Sequence, residues 1–126
     1  MADELTILII EDDKYISNFM SVSLKNEGYK VMLAQSADEG LFLFSSNHPD
    51  LVLLDLGLPD KDGLEVIGEI RGISDAPVLV VSARGQEREK IEALDRGADD
   101  YISKPFHMGE LLARVRVIKR RLDRKP

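Results

Sequence analysis

The chain contains no cysteine and no apolar stretch approaching the length of a membrane span. Without thiols it can build neither a disulfide framework nor a thiolate metal site, and nothing argues for an oxidising compartment. A transmembrane helix needs roughly 20 consecutive apolar residues, so no membrane association is expected. A secretory leader is also not apparent, because Met1-Ala2-Asp3-Glu4 is acidic where such a leader would be basic. The expected setting is a reducing cytoplasm. Positive charge is scarce too: the net charge of −6 disfavours nucleic-acid binding by the domain as a whole, since phosphate backbones demand a basic surface. The bases that exist are concentrated late. Seven of them, Arg114, Arg116, Lys119, Arg120, Arg121, Arg124 and Lys125, follow one another with a single acid, Asp123, leaving ten bases against 22 acids in the rest of the chain. Cations in a last helix complement its dipole, which is a simpler reading than a nucleic-acid arm.

What is present suits one domain. At 126 residues and 44% hydrophobic composition, the chain can bury a single sizeable core. Five nearly continuous apolar runs, Leu5 to Ile10, Lys30 to Ala34, Leu51 to Leu54, Pro77 to Val81 and Tyr101-Ile102, read as strands covered on both faces. Helical periods lie between them. Ile16, Phe19, Met20, Ser23 and Leu24 fall at offsets 0, 3, 4, 7 and 8 behind a capping Asp13, with Gly28 as the stop. Ser36 precedes Ala37, Leu41 and Phe44; Leu64, Ile67 and Ile70 mark a third helix; Ile91 and Leu94 mark a fourth, ending near Gly97. Leu111, Val115, Ile118 and Leu122 give the last helix its register. Five strand–helix alternations predict an α/β domain with a parallel sheet and right-handed crossovers.

In such sheets ligands bind beyond the carboxyl ends of the strands, where the strand order reverses. For a flavodoxin-like, doubly wound (βα)5 sheet of order 2-1-3-4-5, that point lies between strands one and three. The first run leads into Glu11-Asp12-Asp13 and the third into Asp55. Acids crowded into one crevice need a counter-charge, and a hard divalent cation with oxygen ligands, Mg²⁺, supplies it. One acid suffices to cap the first helix, a role that falls to Asp13 and leaves Glu11 and Asp12 for the metal. On its own Asp55 would pass for a turn residue in Asp55-Leu56-Gly57-Leu58-Pro59-Asp60. The fourth run, however, ends at Ser82 and the fifth at Lys104-Pro105, adding a hydroxyl and an ammonium to the same edge. The set describes phosphoryl transfer: a carboxylate nucleophile, a metal, and donors for the phosphoryl oxygens. A strong general base is not in evidence, and a carboxylate nucleophile needs none, so the donor must arrive activated.

These residues resemble the receiver domains of two-component response regulators over essentially the whole chain. The resemblance rests on Ile9-Ile10-Glu11-Asp12-Asp13, on Asp55 to Gly63 (DLGLPDKDG), on Val80-Val81-Ser82-Ala83-Arg84, and on Gly97 to Phe106 (GADDYISKPF). It implies a receiver over residues 1–122, with 123–126 as the start of a linker or a tail. Asp55 would accept a phosphoryl group from a sensor histidine kinase or a small donor such as acetyl phosphate. Asp12 would ligate Mg²⁺ directly and Glu11 through water, with Asp55 and the Gly57 carbonyl completing the protein's share. Lys104 would contact the phosphoryl group, Ser82 would move to hydrogen-bond it, and Tyr101 would swing inward as Ser82 moves. Glu11 and Ser82 stand where the family often has Asp and Thr, changes that leave the chemistry intact. Such a domain is a switch and not an enzyme, apart from its own phosphorylation and slow dephosphorylation.

The later segments are similar to the OmpR-like, winged-helix subfamily and, within it, to regulators of the KdpE type. That likeness implies homodimerisation through the fourth helix, fifth strand and fifth helix, a face carrying Lys90, Asp95, Asp100, Glu110, Arg114 and Arg121. Lys90 with Glu110, and Asp100 with Arg114, are the expected pairs across a two-fold axis. It also implies transcriptional control, with DNA bound only by a domain outside this chain. A single-domain receiver or an interaction module without DNA-binding output is the alternative. A flavin carrier of the same fold is disfavoured, because Glu11-Asp12-Asp13 would repel a phosphate where such a carrier needs a hydroxyl-rich loop. A metal-dependent phosphatase would need a pocket-forming insertion that these short connections lack. A pseudo-receiver would not retain Asp55, Ser82 and Lys104 together.

Overall fold

A computed structural model describes residues 4–124. Five strands, β1 (Thr6–Ile10), β2 (Lys30–Ala34), β3 (Leu51–Leu54), β4 (Val78–Ser82) and β5 (Asp100–Ser103), form one sheet of order β2-β1-β3-β4-β5. All neighbours pair in parallel. Five helices alternate with them: α1 (Lys14–Asn26), α2 (Ala37–Asn47), α3 (Gly63–Arg71), α4 (Glu87–Asp95) and α5 (Met108–Asp123). The expected flavodoxin-like (βα)5 arrangement is the one found.

The continuous apolar runs follow from two cores. Leu8, Ile10, Val52, Leu54, Val78 and Val80 pack on one face of the sheet with residues of α2, α3 and α4. Ile7, Ile9, Leu51, Leu53, Leu79 and Val81 pack on the other with residues of α1 and α5. Successive side chains point to opposite faces of a strand, so a sheet covered twice needs apolar residues at every position. Burying each large aliphatic side chain contributes about 1.5–3 kcal/mol before chain entropy is counted.

The helix starts are set by short polar side chains. Asp13 accepts from the amides of Tyr15 and Ile16, as expected of the α1 cap. Ser36 caps α2 through the Glu39 amide, and the Glu39 carboxylate reaches back to the amide of Gln35. Asp62 caps α3 through Leu64. The helix α5 continues through Asp123, one residue past the expected boundary, with Arg124 as its C-cap. Lys125 and Pro126, the rest of the expected tail, lie outside the described residues.

Two helices face differently from their apolar spacing. In α1 the inward residues are Ser17, Met20, Ser21 and Leu24, while Phe19 is 56% exposed. The two small serines let α1 lie close to its neighbours, and Phe19 falls outside the contact. In α4 Ala93 is buried, whereas Ile91 and Leu94 are 49% and 40% exposed. A small residue seats this helix, and its larger apolar side chains point outward.

Candidate functional site

The sheet register brings the acids together. Ile10 pairs with Leu54, and the ladder continues as the Asp55 amide donates to the Ile10 carbonyl at 3.0 Å. Glu11 and Asp55 therefore leave adjacent strands side by side. Glu11, Asp12 and Asp55 each offer a carboxylate oxygen within 4.8 Å of the others. Asp12 is exposed, but Glu11 and Asp55 are only 1% and 7% exposed, so water alone does not neutralise them.

Lys104 supplies a cation. Its amide donates to the Ser82 carbonyl at 2.9 Å, which brings it in from the far side of the sheet edge. Its Nζ lies 2.7 Å from Glu11 Oε1 and 3.6 Å from Asp55 Oδ2. The Lys104–Pro105 bond is cis. The second Glu11 oxygen, Oε2, accepts from the Asp13 amide. Burial nevertheless holds the Glu11 carboxyl above its ordinary range; the Lys104 and Asp13 hydrogen bonds oppose that rise, and the charge of Asp55 adds to it. Both Glu11 oxygens are thus committed to protein donors, while Asp12 faces solvent.

The loop after Asp55 is fastened at several points. The Gly57 amide donates to Asp55 Oδ1 at 3.3 Å, and Gly57 bridges Asp62 across the loop. Gly63 passes so close that a Cβ there would lie 2.5 Å from Leu56 Cα and 2.6 Å from the Asp55 carbonyl oxygen. Asp60 accepts from the amides of Ala37 and Asp38, joining the loop to the start of α2.

Ser82 is buried at the end of β4, and its Oγ accepts from the Arg84 amide at 3.2 Å. Tyr101 is 5% exposed and its hydroxyl donates to the Arg84 carbonyl. Burial raises the Tyr101 pKa above its ordinary value. The Tyr101 ring therefore packs inside, beside the Ser82–Arg84 turn at the end of β4.

A family profile described as the response regulator receiver domain matches residues 7–116. The chain belongs to the response regulator receiver family. This receiver is 50% identical over 115 residues to the KDP operon transcriptional regulatory protein KdpE of Escherichia coli K12, covering 91% of the chain and 51% of that regulator. It is 52% identical over 114 residues to KdpE of Staphylococcus aureus, covering 90% of the chain and 49% of the relative. The chain spans about half the length of the curated relatives it matches. Among solved structures, the receiver domain of a Francisella response regulator superposes with a TM-score of 0.90 at 32% identity, covering 94% of this chain and 99% of that one.

The receiver's strand ends thus gather Glu11, Asp12, Asp55, Gly57, Ser82 and Lys104, with Tyr101 behind Ser82. The face expected to dimerise is also assembled, with Lys90, Asp95, Glu110 and Arg121 exposed along α4 and α5. Arg114 lies 2.8 Å from Asp100 and 3.2 Å from Glu110 of its own chain, because β5 runs beside α5 and one helical turn separates Arg114 from Glu110. Arg84, Asp60 and Asp62 had no assigned role in the sequence reading. An Asp directly before Gly63 and the Leu64 period was a legible cap signal; the links made by Arg84 and Asp60 span separate loops and had none.

Proposed function

We propose that this receiver is a phosphorylation switch in which Asp55 takes a phosphoryl group from a sensor histidine kinase. The observation that carries the reading is the trio of carboxylate oxygens within 4.8 Å, with the Lys104 ammonium 2.7 Å from one of its members. The donor set is all hard oxygen and fits Mg²⁺. Asp12 and Asp55 would hold the ion directly with the Gly57 carbonyl, and Glu11, its own oxygens occupied, would act through water. Bound there, Mg²⁺ would supply charge neutralisation for the phosphoryl oxygens. A carboxylate oxygen of Asp55 attacks phosphorus while the bond to the donor's imidazole nitrogen, or to acetate, breaks. Lys104 then reaches a phosphoryl oxygen from its place between Glu11 and Asp55, and Ser82 donates its hydroxyl to another.

The donor protein has to approach along this edge. Beside it, Ile16, Phe19, Pro105 and Phe106 with the Lys104 stem bound an apolar hollow of about 200 Å³. Tyr15 and Val22, 89% and 58% exposed, extend the stripe along α1. Such a surface suits a helix of the kinase.

Output goes through the α4-β5-α5 face, where exposed Ile91, Leu94 and Val117 stand among the charges and a second copy would cover them on phosphorylation. In a longer parent protein that dimer would place DNA-binding domains and control transcription. The chain's own chemistry is limited to gaining and slowly losing its phosphoryl group, in the cytoplasm. Among the described residues no helix is long and apolar enough to cross a membrane.

Acetyl phosphate with Mg²⁺ should add the mass of one phosphoryl group. The Asp55→Asn variant should gain none, and chelation should abolish the gain. Undiminished labelling of Asp55→Asn would show that the acceptor lies elsewhere.

A further inference from the structure

Arg84 contacts the end of β4, Tyr101 of β5, the loop after Asp55 and the start of α4. Its amide donates to Ser82 Oγ and its carbonyl accepts from the Tyr101 hydroxyl. Its guanidinium reaches back across the site. One nitrogen lies 3.2 and 3.3 Å from the two oxygens of Asp62 and 3.5 Å from Glu89, and the other lies 3.4 Å from the Leu56 carbonyl. One planar group therefore joins the peptide next to Asp55, the cap of α3 and the first turn of α4.

The two ends of α4 are held unequally. At its C-terminal end, Arg96 donates to the Leu64 carbonyl, and Arg71 fixes the following loop through the Gly97 carbonyl and Asp99. At its N-terminal end, Gln86 provides no side-chain cap, and among the described residues of α4 Ala93 alone is buried. Glu89, in that first turn, is tied to the acceptor loop by Arg84. A helix with little buried surface and an open first turn sits at the low-stability end of a fold, where a single tether has leverage.

We propose that Arg84 is a positioning residue, a strap through which the state of the Asp55 loop sets the position of the first turn of α4. The proposal deepens the phosphorylation reading and rests on it for the nature of the signal. When charge is added at Asp55, the Leu56 carbonyl and Asp62 shift with their loop, and the guanidinium carries that shift to Glu89. The planar fork matters as well as the charge: a lysine ammonium can pair with a carboxylate but cannot hold the Leu56 carbonyl and two acids in one fixed geometry.

Amide hydrogen exchange on the whole chain tests this in two stages. Without any phosphodonor, the amides of Glu89 and Lys90, which bond the Gln86 carbonyl, should exchange roughly 1.5- to 5-fold faster in Arg84→Lys and in Glu89→Gln, the range expected for loss of part-exposed ion pairs. The double variant should be no faster than the faster single one, and the segment from Arg96 to Asp100 should be unchanged. With acetyl phosphate and Mg²⁺, the wild type should change its exchange both around Leu56–Asp62 and in the first turn of α4, whereas Arg84→Lys should change only the former. Equal exchange in wild type and variants at the first stage, or a full response of α4 in Arg84→Lys at the second, would overturn the strap. If the wild type takes up no phosphoryl group, the phosphorylation reading fails, and the first stage still decides whether Arg84 tethers α4.

Discussion

At the scale of single residues, the site is governed by charges that burial has deprived of water. Glu11 and Asp55 leave the sheet almost fully covered, and Lys104 is their nearby cation. Removing it as Lys104→Met should destabilise the metal-free domain by about 1–3 kcal/mol, because a buried charge that loses its partner keeps its desolvation cost. Urea unfolding should show that loss shrinking when Mg²⁺ is added, since the ion replaces the missing positive charge. An equal loss with and without Mg²⁺ would argue against a metal at these acids. Gly63 is constrained by space instead. A methyl group there meets backbone at 2.5 and 2.6 Å, atoms that cannot rotate away, so Gly63→Ala should cost about 1–3 kcal/mol in the same assay. At Gly40 the nearest atoms belong to the buried, β-branched Ile10 side chain, at 2.5 to 3.0 Å, so Gly40→Ala should also be destabilising.

Among the elements, the loop between β3 and α3 is the organiser. Asp60 holds the first two amides of α2, and those hydrogen bonds lower its pKa below the ordinary carboxylate value. A carboxyl with a depressed pKa binds fewer protons folded than unfolded, so its contribution is present above the ordinary range and disappears as pH falls through the lowered value. Asp60→Asn should accordingly be less stable than wild type near neutral pH, and the two should converge in acid as pH falls through the lowered Asp60 pKa and both side chains become uncharged. Denaturant titrations at the two pH values would check this, and a gap that persists in acid would mean that charge is not what Asp60 contributes. The helix α4 is the opposite case. Seated by one alanine, it depends on contacts at its ends.

For the whole molecule, two equilibria should respond to the site. An Mg²⁺ ion held by the folded chain alone would make thermal stability rise with its concentration by about 1.4 kcal/mol per tenfold increase above the dissociation constant. Asp12→Asn should flatten that rise in scanning calorimetry. Phosphorylation should shift the chain from monomer to dimer in sedimentation. Ile91→Asp, placing a charge on an exposed part of the α4-β5-α5 face, should weaken the dimer about tenfold or more while Asp55 still labels. A phosphorylated Ile91→Asp that dimerises like wild type would move the interface to another face. Arg114 already satisfies Asp100 and Glu110 within one chain, so apolar contact, more than that ion pair, is expected to drive association.

The sequence by itself determined the alternation of strands and helices, the sheet class and the identity of the strand-end residues. Those are local matters: apolar runs without polar interruption demand a sheet covered on both sides, Asp13 and Ser36 start helices through side chains that accept from nearby amides, and Gly28 ends one through its positive φ. The acids after β1 and β3 were legible as a site because parallel strands in this order place their ends together. Only the tertiary structure decided which way α1 and α4 turn, since Ser17, Ser21 and Ala93 face inward for reasons of close approach that apolar periodicity does not encode. It also decided that the Tyr101 hydroxyl meets the Arg84 carbonyl, that Arg114 reaches Asp100 from α5, and that Arg84 and Asp60 link loops 22 or more residues apart. Contacts of that kind depend on where several loops end in space, and no spacing along the chain carries that information.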